Sequence, residues 1–166
     1  MRIRHGLYLI LDPLETPTSF SMDKILVGSK IRKRYYLGYY TALEFYGCAY
    51  SAYNEMYVCI DKQDRLDSFE CANQRFVPVF TKDIASGVEA KKYLGQRIYV
   101  SSRERTFLDC VNKPKYAGRW EECLKSLEGL SGVNGQKIYR LLHKFDSDFL
   151  YRKTGFILEL LRDHSR

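Results

Sequence analysis

The chain has 166 residues, the length of one domain, with 45% hydrophobic, 14% aromatic and 28% charged side chains, a globular balance that excludes disorder throughout. No apolar run reaches the roughly 18 residues of a membrane helix, and residues 1–12 lack the features of a secretory signal, so a cytoplasmic protein is expected. The net charge is +7, of which +4 falls in residues 1–40, and this favours a polyanionic or acidic partner. The five cysteines and three histidines lack zinc-ligand spacing, so we expect no metal and reduced thiols.

The N-terminal stretch, residues 2–11, alternates and then becomes apolar, which predicts a short strand with His5 and Gly6 at its start or at a turn. Prolines and threonines between residues 13 and 20 indicate a loop and the best candidate for a domain boundary. Residues 39–46 have apolar side chains at helical spacing, and Gly47 follows where a helix commonly ends.

Three runs rich in β-branched and aromatic residues predict strands over residues 56–60, 75–80 and 96–100. Pro78 lacks a backbone N–H, which predicts that the middle run is an edge strand or carries a bulge. Residues 88–93 are expected to pair with the last run as a hairpin around Leu94 and Gly95.

Four helices are predicted after residue 100. Ser101 and Glu104 have the spacing of a capping box at the start of the first, and Pro114 is expected to end it. Apolar residues at helical spacing then mark three more helices, from Trp120 to Leu127 with Gly129 ending it, from Ile138 to Phe145, and from Phe149 to Leu161 with Gly155 inside. Strands followed by helices predict an α+β fold, in which C-terminal helices pack on a small mixed or antiparallel sheet from the N-terminal half.

A basic run, formed by Lys30, Arg32, Lys33 and Arg34, directly precedes a tyrosine-rich region over residues 35–57. Cations beside aromatic rings suit nucleic acid, because the cations neutralise phosphates and the rings stack on bases. They equally suit a protein interface, in which tyrosine and arginine are common anchors. A third interpretation places the tyrosines in the core and the charges in water. All three interpretations stay open at this point.

One segment of the sequence favours a nuclease as the catalytic alternative. Val88, Glu89, Ala90 and Lys91 have the apolar-Glu-x-Lys form with which restriction-type nucleases hold a divalent metal and position a lysine. Such a site needs a second acidic ligand, for which Asp83 lies close in sequence and Asp67 lies further away. Phosphate-binding glycine loops, zinc-protease motifs and nucleophile elbows are absent from the sequence, which favours a binding protein.

The first predicted C-terminal helix carries several polar residues among its core positions. Arg105 and Asp109 are separated by one helical turn, so they can form an ion pair that fixes the helix to the sheet. The alternative is an interface role, with Arg103 and Arg105 as surface contacts alongside the basic run.

The segment ERTFLDCVNKPKYAG, residues 104–118, resembles the signature ERTLLDCLxRPxxAGG of the AbiEi-type antitoxins, which are transcriptional regulators of type IV toxin–antitoxin (abortive infection) systems. YYTALEFYG at 39–47, MYVCIDK at 56–62 and RKTGFILELL at 152–161 are similar to a helix, the following strand and the closing helix of that family. The matching motif residues are Glu104, Arg105, Thr106, Asp109, Pro114 and Gly118. Phe107, Asn112, Lys113 and Arg119 depart from the family pattern.

The resemblance implies a non-catalytic antitoxin without a cofactor that counteracts a nucleotidyltransferase-like toxin, with or without a stable complex. Full-length members also repress their own operon through an N-terminal winged helix-turn-helix that binds DNA. RIRHGLYLI at 2–10 resembles the wing strand of that module, whose preceding helices this sequence lacks. The expected division is therefore a wing remnant over 1–12, a linker and basic segment over 13–34 and an antitoxin domain over 35–166. Operator binding is expected only with the complete winged helix.

Overall fold

A computed structural model describes residues 2–4, 6–8, 10 and 22–164, and it has the predicted α+β fold. The N-terminal half contains strands β1 (Arg2–Arg4), β2 (Leu7–Tyr8), β3 (Tyr36–Leu37), β4 (Glu55–Asp61), β5 (Phe69–Cys71), β6 (Gln74–Thr81), β7 (Val88–Tyr93) and β8 (Gln96–Ser101), with helices α1 (Lys24–Ser29) and α2 (Tyr39–Phe45). The C-terminal half contains α3 (Arg103–Asn112), a 3-10 turn (Pro114–Tyr116), α4 (Arg119–Glu128), α5 (Gly135–Phe145) and α6 (Asp148–His164).

The central sheet is mixed, with six strands in the order β5-β6-β4-β3-β8-β7 among the described residues. β4 runs parallel to β6, and β3 runs parallel to β8, whereas the other neighbours are antiparallel. The expectation of a small mixed sheet is therefore confirmed.

Both faces of the central strands are buried. In β4, Tyr57 and Cys59 face a core shared with α2 to α6, while Met56, Val58 and Ile60 face a second core shared with α1. Since alternate side chains of a strand point to opposite faces, a strand covered on both sides needs the nearly continuous apolar run that the sequence shows here.

The predicted hairpin of β7 and β8 is confirmed. Tyr93 pairs with Gln96, and the intervening Leu94 and Gly95 have φ angles of 43° and 76°. Two consecutive positive φ values are typical of the tight turn that matches the twist of paired strands.

The prediction that Pro78 marks an edge strand or a bulge was wrong, although its physical reason still applies locally. β6 is not at the edge of the sheet, because β5 and β4 flank it. However, β5 pairs only with residues 74–76 of β6, whereas β4 pairs with residues 75–81. Pro78 therefore lies where the described strands pair with β6 on one side only, and the missing N–H is tolerated there.

The N-terminal region differs from the expectation in two places. Instead of one strand, β1 and β2 pair antiparallel, with Gly6 between them at a φ of 77°, which is the turn that the sequence offered as its second option. Residues 24–29, expected in a linker, form helix α1, whose Ile25 and Val27 are buried in the second core. The predicted loop and boundary over 13–20 lie outside the described residues.

The start of α3 corrects the predicted cap by one residue. Ser102, and not Ser101, is the N-cap, and its Oγ accepts a hydrogen bond from the Arg105 backbone N–H at 3.2 Å. Ser101 is instead the last residue of β8, where its Oγ lies 2.7 Å from Thr106 Oγ1. α3 ends before Pro114, as expected, and α2, α4, α5 and α6 also agree with their predicted positions.

Candidate functional site

The motif helix α3 presents a buried polar cluster of three residues, Tyr36, Arg105 and Asp109. Arg105 Nε lies 2.8 Å from Asp109 Oδ1, which confirms the predicted ion pair. Arg105 Nη2 donates to the Tyr36 hydroxyl at 2.8 Å, and that hydroxyl donates to Asp109 Oδ2 at 3.0 Å. Because Tyr36 belongs to β3, the buried polar cluster ties α3 to the middle of the sheet.

Further contacts hold the Arg105 guanidinium in place. Nη1 donates to the carbonyl oxygen of Ser86 at 2.7 Å and Nη2 to that of Asp83 at 3.1 Å. The guanidinium also lies over the Phe145 ring, 4.7 Å from its centroid. Nε, Nη1 and Nη2 thus all donate to groups of the protein itself, which is the arrangement of an arginine that stabilises the fold.

The electrostatics of the cluster follow from burial. Burial lowers the pKa of Arg105, but the Asp109 carboxylate more than offsets this and raises it above its ordinary value. Burial raises the pKa of Asp109, while Arg105 and Tyr36 counteract that shift by hydrogen bonding to the carboxylate. Arg105 therefore remains charged, and each charged group depends on the other for compensation.

Other residues of the motif have structural positions as well. Glu104 accepts a hydrogen bond from the Asn134 backbone N–H at 3.1 Å, joining α3 to the start of α5. The Thr106 hydroxyl forms a hydrogen bond with the hydroxyl of Ser101, the last residue of β8. Pro114 begins the 3-10 turn, and Gly118 has the left-handed φ of 78° at the N-cap of α4. A Cβ at Gly118 would lie 2.6 Å from Glu122 Cβ, so only glycine fits there without rearrangement.

The two arginines of α3 that were expected as surface contacts differ in their exposure. Arg105 is 3% exposed, so its placement at the surface was wrong: the pairing with Asp109 and Tyr36 draws it inside. Arg103 is half-buried, and its guanidinium lies 4.6 Å from the centroid of the Tyr46 ring.

The basic run occupies the loop between α1 and β3, here called the basic loop, residues 30–34. Lys30, Lys33 and Arg34 are exposed, and Arg32 is half-buried because it donates to the Arg65 carbonyl at 2.8 Å. Within the described part of the chain, the side chains of Lys33 and Arg34 make no hydrogen bond or ion pair. The structure thus leaves them accessible to a ligand.

A depression of about 460 Å³ lies beside the basic loop, here called the basic groove. Lys30, Arg32, Lys33 and Arg97 line it together with the rings of Tyr35 and Tyr99, and no carboxylate is among its lining residues. Asp61 and Asp64 line a second depression, which Arg32 and Lys33 share with the basic groove and to which Arg34 also belongs. The positive charge is therefore least compensated in the basic groove.

Sequence reasoning missed Arg97 and Tyr99 as members of this groove. Both are on β8, where they alternate with the fully buried Ile98 and Val100. That alternation was a usable signal, since side chains with a period of two share one face of a strand. Their closeness to Lys30, however, depends on the packing of α1 against the sheet.

The tyrosine-rich region is mostly core. Its fully or nearly fully buried members are Tyr35, Tyr36, Tyr39, Tyr40 and Tyr57. Tyr46 and Tyr53 are half-buried, and Tyr50 is 59% exposed. The interpretation that tyrosines build the core therefore holds for most of them, and the groove uses only the edge of Tyr35.

The residues considered for a nuclease do not form a described metal cluster. Glu89 and Lys91 pair with each other, Oε2 to Nζ at 2.6 Å, on β7. Asp83 Oδ1 accepts backbone N–H groups of Ala85 and Ser86 in a turn, and Asp67 is exposed in the loop before β5. Over residues 22–164 and the described N-terminal positions, no three His, Cys, Asp or Glu side chains come together to hold a metal ion.

The five cysteines are all free thiols, as expected. Burial raises the pKa of Cys59 and of Cys110 above its ordinary value, so these thiols remain protonated at neutral pH. Protonated, enclosed thiols serve as core residues.

The described helices include none with the combination of length and apolar character needed to cross a membrane. The chain matches no protein-family model and no curated protein. The functional proposal therefore depends on the geometry of α3 and of the basic groove.

Proposed function

We propose that this chain is the antitoxin domain of a type IV toxin–antitoxin system, which counteracts a nucleotidyltransferase-like toxin by binding and not by catalysis. The observation that carries the proposal is the structural use of the motif in α3. Glu104, Arg105, Thr106 and Asp109 each make a buried or half-buried contact between α3 and another part of the fold. The residues that resemble the AbiEi-type signature are thus the ones that fix α3 to the rest of the fold, which suits an antitoxin domain that acts by binding.

The basic groove supports a binding role. Three cations of the basic loop and Arg97 surround tyrosine edges without a carboxylate among them, the arrangement expected for contact with a nucleic-acid backbone or another polyanion. In longer proteins of this kind, a complete winged helix would add operator recognition and repression. The proposed site of action is the cytoplasm, in keeping with five free thiols.

Growth rescue tests the proposal. The 166-residue chain is co-expressed with the neighbouring nucleotidyltransferase-type toxin, and survival is compared with that of cells expressing the toxin alone. Rescue is the expected result. A folded, soluble chain that leaves the cells as sensitive as the toxin alone would overturn the proposal.

Two charge-reversal variants test whether growth rescue depends on the basic loop. The first variant changes Arg32, Lys33 and Arg34 to Glu. The matched control changes three exposed arginines of helices α4, α5 and α6 to Glu, namely Arg119, Arg140 and Arg152. The same net charge is lost in both. We expect rescue to fail only with the first variant. Rescue by both variants would remove the basic loop from the mechanism.

The alternative is a metal-dependent nuclease that uses Glu89 and Lys91. It predicts cleavage of DNA or RNA that requires Mg²⁺ and is abolished by Glu89→Ala. The antitoxin proposal predicts no cleavage by either protein. Mg²⁺-dependent cleavage lost in Glu89→Ala would replace the non-catalytic proposal with the nuclease.

A further inference from the structure

A cavity of about 320 Å³ opens next to the buried polar cluster, at the end of β6 and the C-terminal ends of α3 and α5. Arg105 and Asp109 form part of its lining, together with the rings of Tyr39 and Phe145. Its volume is at the lower end of the range for small-molecule sites, roughly 300–1,000 Å³. This cavity is separate from the basic groove and is not used by the proposed function.

Three lysines from three different parts of the fold line the cavity. Lys82 follows β6, Lys113 follows α3, and Lys144 belongs to the last turn of α5. None of the three forms an ion pair with a described residue. Basic groups that converge on a concave surface and outnumber the acidic groups there favour an anionic ligand.

The two carboxylates in the lining are already engaged. Asp109 binds Arg105 and Tyr36, one partner on each oxygen. Asp83 accepts the backbone N–H groups of Ala85 and Ser86 at 3.0 and 2.8 Å. Both carboxylates keep their charge, but Lys82, Lys113, Lys144 and Arg105 outnumber them, so the lining has a net positive charge and the lysine ammonium groups are the available donors.

Tyr39 adds an observation independent of charge. Its side chain lines the cavity and the residue is 3% exposed, yet its hydroxyl makes no hydrogen bond to a described residue. Its φ of 54° is in the left-handed region, which non-glycine residues rarely adopt. The Tyr39 hydroxyl is not among the described buried polar atoms that lack a partner, so it keeps contact with solvent and is available to donate to a ligand in the cavity.

We propose that this cavity binds a phosphate ester the size of a mononucleotide. The phosphate would contact Lys82, Lys113 and Lys144, and the Tyr39 hydroxyl would donate to a ligand oxygen. The rings of Tyr39 and Phe145 and the side chain of Leu150 provide an apolar wall for the organic part. This proposal does not depend on the antitoxin function, and it concerns binding alone.

Isothermal titration calorimetry at low ionic strength tests it with three probes: adenosine 5′-monophosphate, adenosine and inorganic phosphate. We expect the nucleotide to bind at least about tenfold more tightly than either of the other probes, because it alone uses both the lysines and the apolar wall. Equal binding of adenosine would overturn the role of the lysines. Equal binding of phosphate would overturn the role of the wall, and absence of nucleotide binding would overturn the site.

Variants locate the binding. K82A/K113A/K144A is compared with K62A/K92A/K137A, which removes three exposed lysines outside the cavity. The first is expected to weaken nucleotide binding at least about tenfold and the second by less than about twofold. Equal weakening by both would show nonspecific attraction and overturn the proposal.

Tyr39→Phe provides a test that keeps the ring and the lysines. We expect weaker nucleotide binding with an unchanged thermal midpoint, because the hydroxyl has no described partner in the free protein. Unchanged binding would contradict the assigned contact of Tyr39. Protection of Lys113 from acetylation by bound nucleotide, measured by mass spectrometry, keeps the site testable even if the triple lysine variant fails to fold.

Discussion

The buried polar cluster and the basic loop use the same kinds of side chain for opposite purposes. In the cluster, Arg105 is enclosed and its donors are taken up by Asp109, Tyr36 and two carbonyl groups. In the basic loop, the side chains of Lys33 and Arg34 are exposed, and the structure shows no partner for them in the described residues. The role of an arginine in this protein therefore depends on its surroundings. The enclosed Arg105 stabilises the fold, whereas the exposed Arg34 is available for binding.

The difference has an energetic origin. A buried ion must be compensated by nearby opposite charge and hydrogen bonds, because it has lost its hydration. An exposed cation retains its hydration and contributes little to folding, but it stays available to attract a polyanion. Substitutions in the two regions should accordingly separate folding from binding.

Arg105→Ala is expected to have the largest effect. It leaves the Asp109 carboxylate buried without its cation, which destabilises the native state by about 3–5 kcal/mol. Urea unfolding followed by circular dichroism measures the loss. Arg103→Ala, two residues away on the same helix, is the control and should cost about 1 kcal/mol or less, the worth of its contact with Tyr46. Equal effects of both variants would contradict the contrast.

Tyr36→Phe tests the contact between strand β3 and the other two residues of the buried polar cluster. It removes the hydroxyl that bridges Arg105 and Asp109 while keeping the ring, and hydrogen bonds to charged groups are worth about 1.5–3 kcal/mol. We expect a loss of that size in the free energy of unfolding. The matched control is Tyr50→Phe on an exposed ring, which should change it by less than about 0.5 kcal/mol. No loss in Tyr36→Phe would show that the bridge is unimportant.

Charge reversal of Arg32, Lys33 and Arg34 should affect binding more than stability, because Arg32 makes a hydrogen bond to the Arg65 carbonyl, whereas Lys33 and Arg34 have no described partner. We expect the affinity for DNA to fall at least about tenfold, with a decrease of about one unit in the salt slope for each lost phosphate contact. Fluorescence anisotropy over a range of salt concentrations measures both. The Arg119, Arg140 and Arg152 variant is the control. A salt slope equal to that of the unmodified protein would remove the basic loop from the binding surface.

Glu104 gives the smallest expected effect, and it depends on pH. Burial alone would raise the pKa of Glu104, but hydrogen bonds from its own backbone N–H and from that of Asn134 hold it below the ordinary value of 4.5. A folded-state pKa below the unfolded one stabilises the protein above about pH 4.5, and this contribution is lost as the pH falls through the folded value.

Glu104→Gln should therefore reduce stability by about 1 kcal/mol at pH 6, and the difference should shrink toward pH 3. Thermal unfolding of both proteins across this range measures it. A constant difference at all pH values would mean that the carboxylate charge has no part in the contact with Asn134.

Elements with a strong local pattern were predictable. The hairpin of β7 and β8, helix α2 and the C-terminal helices follow from periodicity, turn residues and caps that act within a few residues. Helix α1 was missed because its sequence, KILVGS, is short and carries a glycine and a serine. The strands β3 and β5 were missed because two or three residues have no period to detect.

The candidate sites were predictable only in part. The Arg105–Asp109 pair followed from helical spacing, but that spacing does not tell which face of α3 is enclosed. Its enclosure depends on Tyr36, which is distant in sequence and meets α3 across the sheet. The cavity beside it brings together Tyr39, Lys82, Lys113 and Lys144, and no local pattern relates residues on such different elements.

The sequence by itself determined the fold class, the positions of most helices and strands and the basic run, because each depends on neighbours along the chain. Only the tertiary structure decided which charges are enclosed and which face water. That outcome is set when α3 packs on β3 and α1 packs on the other face of the sheet, since burial, and with it the free energy of a charge, is a property of the assembled core.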